Sequence, residues 1–251
     1  MEAVRTPAVA GSFYPANAVE LRETVARLLA AAAPGAPPKA VIAPHAGYVY
    51  SGPIAASVFR RIENAPFTRV VLLGPSHFTH LRGVAVPGAA AMRTPLGDLP
   101  IEEAGLPQNP RAHSLEHSLE VQLPFLQLTL GSFTVTPLAV GEAMPEEVAA
   151  VLERLWGGPE TLIVVSSDLS HYLPYAEAQK ADAASAKEIL ALGHLRRDDA
   201  CGAAAVNGLL LEARRRVLRA ELVDLRSSGD TAGDKDRVVG YGAFGFYERP
   251  A

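Results

Sequence analysis

Three apolar runs in this chain each lead to a histidine: Val41–Pro44 to His45, Val70–Ser76 to His77, and Leu162–Ser170 to His171. A short apolar run closed by turn residues reads as a buried strand. In open α/β sheets, ligands bind just beyond the carboxyl ends of the strands. If the three strands are parallel neighbours, the three imidazoles meet in one pocket. The third run also carries Asp168, and a later run ending at Leu225 leads into Asp230, a further candidate. Histidine with carboxylate suits a transition metal. Two histidines and one carboxylate with open positions is the set with which non-haem Fe(II) activates oxygen, and the same donor types accept zinc. A histidine outside the ligand set can move protons, because its pKa lies near neutrality.

Other candidates have plainer readings. His80 and His113 read as solvent-facing, and His194, after Gly193, as a contact at a helix end. Cys201 lies in an alanine-rich stretch and reads as a small core hydrophobe in a helix. Glu116-His117 has two readings: the polar first turn of a helix capped by Ser114, or a loop that turns His117 into the pocket. Asp230 and Asp234 alternate with glycines, so a connecting turn is the alternative for them. Gly47–Gly52, which includes Tyr48, precedes a helix and could touch an anion there. It lacks the lysine of a phosphate loop, which argues against nucleotide binding.

The elements that must carry these groups follow from punctuation and periodicity. Helices are predicted over 17–33, 53–62, 116–130 (interrupted near Pro124), 145–156, 175–192 and 199–216. Pro53 sets the start of the second, as a good first helical residue. Strands are predicted over 39–43, 69–73, 133–140, 161–165, 219–225 and 237–247, with a short one at 83–86. Residues 78–115 are loop-rich. Strands alternating with helices predict an α/β fold. No linker or repeat divides the chain, so residues 1–251 read as one domain whose strand order stays open.

Lysine plus arginine number 23 against 27 acids, a mildly acidic balance that offers nucleic acid or anionic lipid no general attraction. The densest basic run, Arg214–Arg216, ends a predicted helix, where cations suit the macrodipole. One cysteine excludes an intrachain disulfide. No run approaches the ~20 apolar residues of a membrane helix, and no leader segment is evident. A cytoplasmic protein is the expectation.

Six segments together resemble the MEMO family, the B component of the AmmeMemoRadiSam system. They are Pro7–Pro15, Ala43–Tyr48, Leu73–His77, Glu116–Ser118, Ser166–Asp168, and Ser227–Asp230 with Gly240-Tyr241. They span nearly the whole chain in the family's order. The resemblance implies a single α/β domain like the class III extradiol dioxygenases, with a central, mostly parallel or mixed sheet flanked by helices. It implies that His45 and His77 are metal ligands, that His171 is the acid/base and that Asp168 is its neighbour. Glu116, His117 and Tyr48 are possible pocket residues. In the animal branch the third ligand is taken as a cysteine of the Ser-Ser loop. This chain has Asp230 in that loop, which makes Asp230 the third ligand by position. It also weakens any inference of copper.

The resulting expectation is a divalent transition metal, Fe(II) first with zinc or copper as alternatives, and a dioxygenase-like oxidoreductase acting on a small molecule. Two alternatives stand beside it: a non-catalytic module binding a peptide or protein, and a zinc-dependent hydrolase. The resemblance further implies an association with a radical-SAM protein. It leaves open whether the chain is an enzyme at all.

Overall fold

The computed structural model describes residues 4–248. In chain order the elements are β1 (Val4–Arg5), α1 (Ala18–Ala30), β2 (Ala40–Ala43), α2 (Tyr48–Phe59), β3 (Arg69–Pro75) and β4 (Val84–Ala85). Then come β5 (Ala91–Thr94), β6 (Gly97–Pro100), α3 (Pro110–Ser114), α4 (Leu123–Thr129), β7 (Thr134–Val140) and α5 (Pro145–Leu155). The chain closes with β8 (Thr161–Ser166), β9 (His171–Leu173), α6 (Tyr175–Leu190), α7 (Ala203–Arg215), β10 (Arg219–Ser227) and β11 (Val238–Tyr247).

The main sheet runs β10-β11-β2-β8-β3-β7-β4, with β9 added against β11. Its centre, β2-β8-β3-β7, is parallel, and the flanking pairs are antiparallel. The expected mixed, mostly parallel centre is therefore present, in a single α/β domain. A three-stranded sheet, β1-β5-β6, lies apart. The central strands read as unbroken apolar runs because both of their faces are covered. Val41, Val70, Leu72, Leu162 and Val164 pack with α1, α2 and α4 on one side. Their neighbours Ile42, Val71, Leu73, Ile163 and Val165 pack with α5, α6 and α7 on the other. The alternation of side chains along a strand divides them in this way.

The connections leaving β2 and β3 thus pack on one face, and those leaving β7 and β8 on the other. Strand β8 lies between β2 and β3, and their ends are nearly level: Ala43 pairs with Ser166, and Leu73 with Val165. This is the crevice at which open α/β sheets place ligands. Among the described residues no helix is long and apolar enough to cross a membrane.

Several boundaries differ from those predicted. Helix α2 starts at Tyr48 with Gly47 as its cap, so Pro53 lies inside it. Tyr48 is buried, and its N–H donates to the Phe13 carbonyl at 2.8 Å, so tertiary contacts begin the helix early. The hydrogen bond Pro53 lacks would go to Val49, on a face open to water. Residues 116–119 are not helical. A single 3-10 turn spans Glu120–Gln122, and Pro124 falls in the first turn of α4 rather than interrupting a longer helix. Helix α7 begins only at Ala203, which leaves Cys201 outside it.

Candidate metal centre

His45 lies two residues past β2, His77 two past β3 and Asp168 two past β8. Of His45, His77 and His171, expected to meet in one pocket, the first two converge and His171 does not join them. The group that converges is His45, His77 and His117, with one potential ligand atom from each lying within 4.8 Å of the others. The His45 and His77 rings meet edge to face at 5.2 Å, and those of His77 and His117 stack at 4.7 Å. Of the two readings of Glu116-His117, the structure takes the loop. That loop lies close against β3 because residue 74 is glycine: a Cβ there would come within 2.7 Å of Ser118 Oγ.

Hydrogen bonds fix which nitrogen each ring presents. The Ser166 hydroxyl donates its one proton to the Ser118 carbonyl at 2.6 Å, so toward His45 Nδ1, at 2.9 Å, it acts as acceptor. The Nδ1–H of His45 is thereby tied, and Nε2 keeps its lone pair. His77 Nδ1 donates to Glu116 Oε1 at 2.9 Å, because a carboxylate can only accept, and its Nε2 is likewise free. Tethering one imidazole nitrogen to an acceptor is how proteins orient histidine ligands. Glu116 also accepts the His77 N–H at 2.6 Å and the Ser118 N–H at 2.9 Å. Burial alone would raise its pKa, but the bonds from His77 and Ser118 hold it at about 2. His45 is lowered well below the usual histidine value by burial, then by the neighbouring His77, His117 and His171. Burial also lowers His117. Neutral imidazoles are the form a metal requires.

Asp168 is buried beside this group. Its carboxylate accepts the His45 backbone N–H at 2.7 Å, and burial pushes its pKa up to about 7. His171 is exposed at the start of β9 and does not belong to the converging set. The Tyr48 hydroxyl donates to the Val121 carbonyl at 2.6 Å, and the ring packs on Phe125, so this residue serves the core under the loop.

Asp230 is not brought to the three histidines. Its carboxylate accepts the Ser227 N–H at 2.8 Å, the Ser227 hydroxyl at 3.0 Å and the Tyr175 hydroxyl, closing its own 3-10 turn. Cys201, read as a core hydrophobe, instead stands in a half-buried turn with Sγ 3.2 Å from His45 Nε2. Burial, then the nearby Asp168, pushes its thiol up to about 12. His113, expected at the surface, is buried with its Nε2 2.9 Å from the Ala85 carbonyl, since α3 turns it under β4. His80 is exposed, as expected; His194, expected as a contact at a helix end, is exposed too, and both line a cleft of about 620 Å³ whose wall includes Ser76 and Cys201. A second cleft, of about 770 Å³, is lined by His171 and again by His194.

The donor set fits a transition-metal ion. It offers three imidazoles, two of them with Nδ1 tied to an acceptor, with a thiol at one side.

Comparison with known proteins agrees with the pattern of motifs. Residues 5–244 match the family model described as Memo-like protein. A MEMO1 family protein of Aquifex aeolicus is 40% identical, with 95% of this chain and 97% of that protein covered. One from Desulfurococcus amylolyticus is 34% identical over 97% of this chain and 99% of its own length. A third, from Sulfolobus acidocaldarius, is 31% identical over 95% of this chain and 97% of its own length.

Proposed function

Since the chain belongs to the Memo-like family, we propose that its histidine cluster holds a divalent transition metal and that the protein is an iron-dependent oxidoreductase of a small molecule. The carrying observation is the convergence of His45 and His77, just past the ends of two parallel strands, with His117 from the loop that lies against β3. His45 and His77 are the ligands that the resemblance implies. His117 takes the third position, which the resemblance gives to Asp230, and Cys201 Sγ is near enough to His45 to join or to guard the site.

Bound iron would supply electron transfer and oxygen activation. The chain's own groups would do the rest. Glu116 holds His77 in its tautomer. Asp168, with a pKa near 7, can hold or release a proton at neutral pH. His171, open to the second cleft, can exchange a proton with a ligand bound there. Anaerobic loading with Fe(II), followed by oxygen uptake with candidate catechols, tests this reading. Uptake dependent on both iron and substrate is expected, and its absence from fully loaded protein would sink the proposal.

A second reading has its own observation in support. Among the described residues no carboxylate belongs to the converging group, and three histidines with an open position is also a zinc donor set. Metal-bound water would then serve a hydrolase. Metal analysis of protein purified without added metal separates the two, since zinc at full occupancy favours hydrolysis.

Either reading makes Glu116 an orienting group. Glu116→Gln is expected to weaken metal binding ~10–100-fold with the fold intact, read by competition with a chromophoric chelator. Unchanged affinity would reduce Glu116 to a purely structural role.

A further inference from the structure

The N-terminal segment crosses the molecule to reach the loop that carries His117. Arg5 is buried there, and its guanidinium touches that loop three times. Its Nε donates to the His113 carbonyl at 3.0 Å, its Nη2 to the Glu116 carbonyl at 2.6 Å, and its Nη1 to the Glu120 carboxylate. These contacts bracket His117 on both sides. Glu120, fully buried, returns the contact to the N-terminal segment. It accepts the Ala8 N–H at 2.8 Å, the Val9 N–H at 3.0 Å and the Tyr14 hydroxyl at 2.6 Å. Between them Phe13 lays its ring 4.8 Å from that of His117.

We propose that the strap formed by residues 5–14 is a positioning part of the metal centre: through Arg5, Glu120 and Phe13 it fixes the loop that presents Glu116 and His117. The inference rests on the metal reading given above and deepens it. Simple tethering of a chain end does not call for a buried ion pair. Burying two charges is costly, and their attraction repays the cost only when geometry and further hydrogen bonds are good. A satisfied buried network of this kind specifies one geometry. The planar fork of arginine serves three acceptors in different directions at once, which a lysine ammonium on a flexible stem does not reproduce. The contacts are also concentrated. All three acceptors of Arg5 lie between His113 and Glu120, the stretch that supplies the third histidine and the carboxylate orienting His77.

The experiment is Co(II) titration of four full-length proteins: wild type, Arg5→Lys, Phe13→Ala and Val25→Ala. Affinity, visible absorption and thermal midpoint are recorded for each. Val25 is a buried residue of α1, remote in role from the site, and reports what plain destabilisation does. Arg5→Lys and Phe13→Ala are expected to raise the Co(II) dissociation constant ~10–100-fold, as changes behind a ligand do. Their spectra should depart from that of wild type, as displacement of the His117 ring requires. Val25→Ala should lower the midpoint and leave both affinity and spectrum as in wild type. Should Arg5→Lys fail to fold, Phe13→Ala carries the test alone. Affinities within about twofold of wild type in the strap variants, or an equal loss in Val25→Ala, would overturn the inference while leaving the metal reading intact. A wild type that takes up no Co(II) would instead remove the metal reading, and this inference with it.

Discussion

Replacing His45 by alanine is expected to abolish metal retention, with a loss beyond the ~10–100-fold typical of changes behind a ligand. His45 is 2% exposed, its Nδ1–H is committed to Ser166, and its Nε2 faces the other histidines and Cys201. The remaining pair, His77 and His117, falls one short of the three imidazoles. His77→Ala should behave alike, because Glu116 holds the ring that is lost. The two remaining single variants decide the third ligand. His117→Ala should release metal, and Asp230→Ala should retain it, since the Asp230 carboxylate is taken up by Ser227 and Tyr175. Metal-to-protein ratios after anaerobic loading and desalting provide the measurement. Thermal melts of the metal-free proteins show whether each variant is folded. The reverse result for the last pair would return the third ligand to the Ser-Ser loop. Full retention in His45→Ala and His77→Ala would place the metal elsewhere.

The parts of the site built on strands were legible in the sequence, because a strand buried on both faces must be continuously apolar and must stop where polarity begins. That stop points to His45 and His77 at one edge, whereas His171, expected with them, lies far enough past the end of β8 to start β9 instead. The parts built on irregular backbone were not legible. His117 sits in a loop shaped by contacts with Arg5 and β3, far away in sequence, and local pattern left it divided between helix and pocket. Cys201 was misread for a related reason. The alanines that follow it do form a helix, but that helix begins two residues later, and the turn before it swings Sγ onto His45. Asp230 failed to reach the histidines because its loop closes on itself. The short pair β5 and β6 went unseen among residues 78–115, where four-residue strands carry too little alternation to stand out.

Asp168→Asn is expected to make the metal-free protein more stable at pH 8 than the wild type, with the difference fading as the pH falls. Asp168 is 4% exposed, and its folded pKa of about 7 lies far above its ordinary 3.8. Between those values the native state holds a proton that the unfolded chain has released. Stability therefore falls as pH rises through that window. The effect is absent below about pH 4, where both states are protonated, and complete above about 7. At ~1.36 kcal/mol per pKa unit the loss is of the order of several kcal/mol. For a chain of this size each kcal/mol moves Tm by roughly 2–4 °C. Asparagine keeps an oxygen to accept the His45 N–H and carries no charge, so the variant keeps only the opposing rise from its buried histidines, and the difference between wild type and variant isolates Asp168. A Tm difference that does not change between pH 4 and 8 would refute the account. Holding an acid in this state at the cost of stability is what a proton-handling group requires. A bound cation would favour the carboxylate, so metal loading should shrink the pH dependence of the difference between wild type and variant, the histidine contribution being common to both. That contrast ties the strained carboxyl to the ion rather than to the fold.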